Sequence, residues 1–244
     1  MRLSRVHVPD PLTAGHRHTI EGVAANHIAH VLRLRLGDPL ILFDGRGGEH
    51  AARIEEYRKG AVIVAVGDRS AADPESPLHL TLAQGVSRGE RMDWVVQKAT
   101  ELGVTRIIPL LTERTIVKLD ARQLERRLSH WRGIAIAACE QSGRNRIPDI
   151  AIPARLHDFL RESDSGAARV LLSPTGTLGI GALQAPHGRV IVLIGPEGGL
   201  AEAEQRAVLD TGFLAVRLGP RVLRTETAAV AAVTLLQHLL GDLG

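Results

Sequence analysis

Residues Val190 to Ile194 read Val-Ile-Val-Leu-Ile and run straight into Gly195-Pro196-Glu197-Gly198-Gly199-Leu200. An apolar run with no alternation fits a strand covered on both faces, which requires a mostly parallel sheet between helices. A short helix pattern follows, with Glu202 and Glu204 in its first turn and Gly212 at its end. A second strand, Phe213 to Leu218, breaks at Gly219-Pro220-Arg221-Val222-Leu223-Arg224-Thr225-Glu226-Thr227. The chain then closes with Ala228 to Leu240, apolar on almost every face. Loops at the carboxyl ends of neighbouring strands are where an open α/β sheet holds its ligand. Glycines there let backbone amides and carbonyls come close enough to read it. Either loop alone also reads as a tight strand-to-helix turn. Together, with Arg224 and Glu226 beside them, they read as a site.

The nucleotide motifs do not fit. A dinucleotide fingerprint needs a third glycine at the right offset and a flexible second position, which Pro196 violates. No glycine-rich stretch ends in Gly-Lys-Ser or Gly-Lys-Thr, so a phosphate cradle is not expected.

A length of 244 residues, 44% of them hydrophobic, leaves ample room for a buried core in one large or two modest domains. With only 2% aromatics, aliphatic side chains must build it. No apolar run approaches a membrane span, and no charged-then-apolar secretory pattern opens the sequence. A single cysteine excludes an internal disulfide and a multi-thiolate zinc site, so no metal is expected. A cytoplasmic protein is the expectation. A net charge of +3 does not by itself announce nucleic acid, so local arrangement has to carry that claim.

The first seventy residues carry strand patterns at Leu3–Val8, Leu40–Asp44, His50–Glu55 and Ala61–Val66, with one helix near Ala24–Leu32. This suits a small β-barrel domain over residues 1–72. Arg33 and Arg35 alternate with Leu32, Leu34 and Leu36, so as a strand they share one polar face. That face is either simply solvated or an RNA contact, for which planar guanidiniums are suited. Ala71-Ala72-Asp73-Pro74-Glu75-Ser76-Pro77 reads as the linker to a second domain, 73–244.

There strand and helix patterns alternate. Leu78–Ala83 is a strand, and Ser87-Arg88-Gly89-Glu90 has capping-box spacing, which gives Ser87 a structural role. The helix it opens carries Met92, Val95, Val96, Ala99 and Leu102 on one face and ends at Gly103, before a strand at Val104–Leu111. Arg88 and Arg91 sit in its first turn. A second helix, Ala121 to Glu140 with Asp120 as cap, has a core stripe of Leu124, Leu128, Trp131, Ala135 and Ala138. Cys139 beside that stripe reads as a buried side chain, with no activating histidine nearby in sequence. Glu140-Gln141-Ser142-Gly143-Arg144-Asn145-Arg146 is either a helix cap or a substrate-facing loop. Residues 151–168 carry no motif. Arg169–Ser173 is a further strand, and Ser173-Pro174-Thr175-Gly176 at its end is a natural third wall of the same pocket. The last helix must be buried in the core or against another subunit.

Five blocks carry a family resemblance: Gly195 to Leu200, Leu218 to Ala228, Gln84 to Val104, Ala138 to Arg144, and the opening residues with His30 to Asp38. In order and end to end, they resemble the RsmE family of bacterial small-subunit ribosomal RNA methyltransferases, in the SPOUT class. The resemblance implies an α/β chain with an N-terminal PUA-like β-barrel and a C-terminal SPOUT domain whose last segment forms a trefoil knot. It implies transfer of a methyl group from S-adenosylmethionine to N3 of a uridine in 16S ribosomal RNA, by a homodimer acting on the small subunit. The cofactor would lie among Leu172, Ser173, Ile194, Gly195, Pro196, Glu197, Gly198, Leu218, Gly219, Leu223, Arg224 and Thr225. Arg224 is the first catalytic candidate, as stabiliser of a uracil anion, with Glu140 and Glu226 as candidate bases. Arg5, Arg33, Arg35, Arg88, Arg144 and Arg221 are candidate RNA contacts. Two other readings stand beside this: a SPOUT enzyme with another RNA target, such as a ribose hydroxyl or a transfer RNA base, and a non-catalytic RNA-binding module.

Overall fold

The computed structural model describes residues 3–71, 73–115, 121–162, 166–185 and 187–244. The chain divides into two compact units, 1–75 with 136–147, and 76–135 with 148–244.

In the first unit β1 (Arg5–His7), β2 (Arg17–Glu21), β3 (Pro39–Phe43), β4 (Glu49–Arg58) and β5 (Ala61–Ser70) form one curled sheet in the order β1-β3-β4-β5-β2. β1 lies parallel to β3 and the other neighbours are antiparallel. Two register shifts between β4 and β5 bend the long hairpin. The alternation of Leu40, Leu42, Ala52, Ile54, Val62 and Val64 puts one sheet face on a core that Ile28 completes.

β2 escaped the sequence reading because Arg17-His18-Thr19-Ile20-Glu21 buries only Ile20 and shows no apolar period. Helix α1 spans Gly22–Asn26 and runs into a π-helical turn, His27–Val31, earlier than the expected helix. The expected strand at 32–36 is not formed. Arg33 has φ +53°, in the left-handed region, which no extended strand passes through. Burial still alternates, with Leu32 and Leu34 packed on the core and Arg33 and Arg35 exposed, so the apolar pattern reports packing of a loop.

The second unit is one parallel sheet with helices on both faces. Its elements are β6 (His79–Gly85), α2 (Glu90–Glu101), β7 (Arg106–Leu111), α3 (Ala121–Ser142), β8 (Asp149–Ile150), β9 (Ala154–Arg155), α4 (Leu156–Glu162), β10 (Ala168–Leu172), β11 (Leu178–Gly179), β12 (Arg189–Ile194), α5 (Glu202–Asp210), β13 (Leu214–Arg217) and α6 (Thr225–Leu240). The strand order is β11-β13-β10-β12-β6-β7-β8, with β9 also beside β7. The central strand β12 is buried at every position from Val190 to Ile194. Each such aliphatic side chain removed from water contributes about 1.5–3 kcal/mol, which explains the run without alternation. One face packs on Leu156, Phe159, Val208 and Phe213, and α6 covers β6 and β12 from a position beside α2.

The capping box at Ser87 is not formed. α2 begins only at Glu90, its cap is Gly89 at φ +57°, and no side chain caps it. Ser87 Oγ instead donates to the Gly85 carbonyl at 3.4 Å, fully buried. Asp120, the expected cap of α3, lies outside the described residues. Residues 136–147, the end of α3 and its polar tail, fold with the first unit although α3 starts in the second. No helix among the described residues is long and apolar enough to cross a membrane.

Candidate functional site

Strand register decides where the loops end up. Gln84 pairs with Ile194, Leu171 with Leu193, and Leu172 with Val216, so β6, β10, β12 and β13 end on one edge of the sheet. The loops after β10, β12 and β13 therefore meet there and enclose a cavity of about 690 Å³, within the range typical of small-ligand sites. Its walls are the segments 171–175, 194–200 and 218–226, with Arg91 and Gln205.

All twelve residues expected around the cofactor line this one cavity: Leu172, Ser173, Ile194, Gly195, Pro196, Glu197, Gly198, Leu218, Gly219, Leu223, Arg224 and Thr225. Glu226 and Arg221 line it too. Much of the wall is backbone. The Gly199 amide donates to the Pro196 carbonyl at 2.8 Å and closes a tight turn, with Gly199 at φ +68°. The Ser173 amide donates to the Val216 carbonyl at 2.9 Å, tying the third loop to β13.

Charge is concentrated at one end. Glu197 Oε1 accepts the Arg88 amide at 3.0 Å and the Arg91 guanidinium at 2.8 Å. Burial works to raise the Glu197 carboxyl, but those hydrogen bonds and the Arg91 charge outweigh it and hold it below the ordinary carboxylate range. Arg91 Nε lies 4.0 Å from Glu226 Oε1, so one guanidinium stands between two cavity carboxylates. Glu226 Oε2 is buried and accepts no hydrogen bond from the described residues. A buried carboxylate oxygen left this way is costly, and inside a cavity it marks a place for a donor on a ligand. Arg224 caps α6 with its backbone while its side chain is exposed; its carbonyl accepts the Ala228 amide at 2.8 Å.

The remaining expected site residues lie elsewhere. Glu140 belongs to the first unit and does not line the cavity; its Oε1 accepts the His7 amide at 3.0 Å, and burial pushes its carboxyl up. Arg144 is 4% exposed and its guanidinium is held by both oxygens of Glu75. Arg5 pairs with Glu49 and donates to the Asn145 side chain, with its guanidinium carbon 5.0 Å from the centre of the Phe43 ring. Arg144 and Arg5 are each tied by an ion pair within the first unit, although Arg5 Nε is buried without a hydrogen-bond partner among the described residues. Arg33, Arg35, Arg88 and Arg221 are exposed. Cys139 is fully buried, and burial pushes its thiol up to about 12, as suits a packed side chain and not a thiolate nucleophile.

Sequence reasoning missed Arg91 and Gln205 as cavity residues and Gln84 behind the wall. Gln84 carried a signal, since an uncharged polar side chain at the end of an otherwise apolar strand needs a partner. Arg91 stood out with Arg88, but surface arginines in a first helical turn are common and nothing local tied it to the cavity.

Residues 74–237 match the RNA methyltransferase domain model, and residues 20–66 match the RNA methyltransferase PUA domain model. Ribosomal RNA small subunit methyltransferase E of Buchnera aphidicola (from Acyrthosiphon pisum) is 32% identical over 241 residues, covering 99% of this chain and 95% of the relative. Its counterpart in Bacillus subtilis is 32% identical over 228 residues, covering 90% and 89%. Among solved structures, the small subunit methyltransferase E of Neisseria gonorrhoeae bound to S-adenosyl methionine is 37% identical, with both chains fully covered and a TM-score of 0.94. A putative methyltransferase of Legionella pneumophila with bound cofactor SAM is 40% identical with a TM-score of 0.95, covering 99% of this chain and 100% of that one. The chain thus belongs to the RNA methyltransferases and, within them, to the family of ribosomal RNA small subunit methyltransferase E.

Proposed function

We propose that this protein transfers the methyl group of S-adenosylmethionine to N3 of one uridine in the 16S RNA of the small ribosomal subunit. The observation that carries the reading is a cavity walled by three loops at the strand ends, in a chain of this family. The residues fit the cofactor. A cavity of about 690 Å³ suits a molecule of that size, and glycine-bearing backbone at 195–199 and 219 can approach an adenosine closely. The orphaned Glu226 oxygen suits a donor.

Bound S-adenosylmethionine supplies an electrophilic methyl group on a sulfonium sulfur. The chain's own residues do the rest, and most of that is positioning. The imide nitrogen attacks only once its proton leaves. Glu226, half-buried at the cavity wall, accepts that proton, and Arg224 steadies the negative charge that spreads onto the uracil carbonyls. Glu140, the other candidate base, instead anchors the His7 amide in the first unit. Arg33 and Arg35 on the PUA-like barrel, with Arg88 and Arg221, contact RNA phosphates or stack on bases. A base normally paired must be extruded to reach the cavity.

The fuller family architecture belongs to the same proposal: a cytoplasmic SPOUT homodimer with a knotted C-terminus. The strand order supports the knot, because β13 adds outside β10 whereas α6 returns to cover β12 and β6. Leu235 and Leu239, exposed on α6, support the dimer, as does Trp94, exposed on α2. Light scattering behind size exclusion should give twice the chain mass, and Leu235→Glu with Leu239→Glu should reduce it to one.

Nucleoside mass spectrometry tests the function. Small subunits lacking the modification, incubated with the protein and labelled cofactor, should yield labelled 3-methyluridine. Another labelled nucleoside would move the target and keep the chemistry. No label with no cofactor uptake would leave an RNA-binding module.

A further inference from the structure

The cavity's geometry depends on a residue that lines none of it. Gln84, near the end of β6, is fully buried. Its amide nitrogen lies 2.9 Å from Thr225 Oγ1, 3.0 Å from the Gly85 carbonyl oxygen and 3.5 Å from that of Gly195. Thr225 Oγ1 in turn lies 2.7 Å from the Gly195 carbonyl oxygen.

The chemistry fixes every direction in this chain. Carbonyl oxygens only accept, so the Gln84 group facing them must be its NH2. The Thr225 hydroxyl has one proton, and the Gly195 carbonyl takes it. Thr225 must therefore accept from Gln84. The result is a directed relay, Gln84 Nε2–H to Thr225 Oγ1–H to the Gly195 carbonyl. Gln84 Oε1 is buried with no donor, so the NH2 partners alone orient the side chain. The backbone agrees. A Cβ on Gly85 would sit 2.4 Å from the Pro196 nitrogen, so the Gly195-Pro196 peptide rests directly on the end of β6.

We propose that Gln84 is a positioning residue that locks the 195–199 turn to the first turn of α6, and so holds two cavity walls at one spacing. The inference rests on the reading of this cavity as the S-adenosylmethionine site. Residues 141 apart in sequence are joined by one side chain. A ligand that touches both walls then binds without first having to order them.

A matched control lies at the other end of α6. Gln237 is equally buried, and its Oε1 accepts from Ser76 Oγ at 2.6 Å, but it is not among the residues around the cavity. The experiment compares Gln84→Met, Thr225→Val, their double variant and Gln237→Met. Two readouts are taken: S-adenosylmethionine affinity by calorimetry, and amide hydrogen exchange without ligand. Gln84→Met and Thr225→Val should each weaken cofactor binding about tenfold, and the double variant should be no weaker than either, because both break one relay. Without ligand, exchange at the Gly199 and Ala228 amides should quicken together in Gln84→Met. Gln237→Met should lower stability and leave both readouts at the cavity unchanged.

Parent-like affinity and parent-like exchange in Gln84→Met would overturn the relay. Additive losses in the double variant would do the same, since they would make the two residues independent. A parent protein that takes up no S-adenosylmethionine would sink the cofactor reading, and the exchange arm would still decide whether the two walls are locked.

Discussion

Two stretches looked alike in the sequence, and the structure uses them in opposite ways. Residues 218–226 and 138–146 both combine glycine, arginine and glutamate after an apolar element. In the first, the side chains are left available: Val222 is 79% exposed, Arg221 and Arg224 are exposed, and Glu226 keeps a buried oxygen without a donor among the described residues. In the second, the charges are spent. Arg144 is clasped by Glu75, Arg146 bridges to Asp73, and Glu140 holds the His7 amide. A buried charge survives only when paired, so charges already tied to partners have less left with which to bind anything. Under-satisfied groups in a cavity mark function better than a count of charges does.

The largest expected effect separates the two stretches by stability. Arg144→Ala leaves the buried Glu75 carboxylate without its cation and with only the Arg146 amide as a donor, at side-chain exposures of 5% and 12% for the pair, and should cost about 3–5 kcal/mol in urea unfolding. Arg224→Ala should change unfolding by less than about 0.5 kcal/mol and lower the single-turnover methylation rate roughly 10²–10³-fold. If Arg224→Ala instead destabilises as much as Arg144→Ala, the contrast fails.

Glu140 sharpens the comparison through pH. Burial raises its carboxyl above the ordinary 4.5, so its contribution to stability is complete below that value and is lost as pH rises through the higher folded one. Stability of the natural protein relative to Glu140→Gln should therefore fall across that window, and a flat difference would contradict the burial argument. The smallest effect concerns Cys139. With its thiol pushed up to about 12, it should resist a thiol reagent at neutral pH until the protein unfolds, and Cys139→Ala should methylate at the parent rate.

Much of the cavity was legible. Val190–Ile194 announced a doubly covered strand, and the glycine turns after it and after Leu218 announced walls, because chain period and turn chemistry are local properties. Strand β2 and the loop at Arg33 were not legible. One buried residue in five gives no period, and alternation of Leu32 and Leu34 is the same whether a strand or a loop packs them. Local sequence also misplaced Ser87: the capping-box spacing was present, but the chain turned through Gly89 and buried the hydroxyl against Gly85.

By itself, then, the sequence determined the parallel sheet, the ends of its central strands and the small set of loops that could hold a ligand. Tertiary structure alone decided which charges would be consumed and which left open. Arg144 meets Glu75 across 69 positions and Gln84 meets Thr225 across 141, and no periodicity encodes such pairs. They exist because burial forces each polar group to find a partner, and only the folded chain settles which partner is within reach.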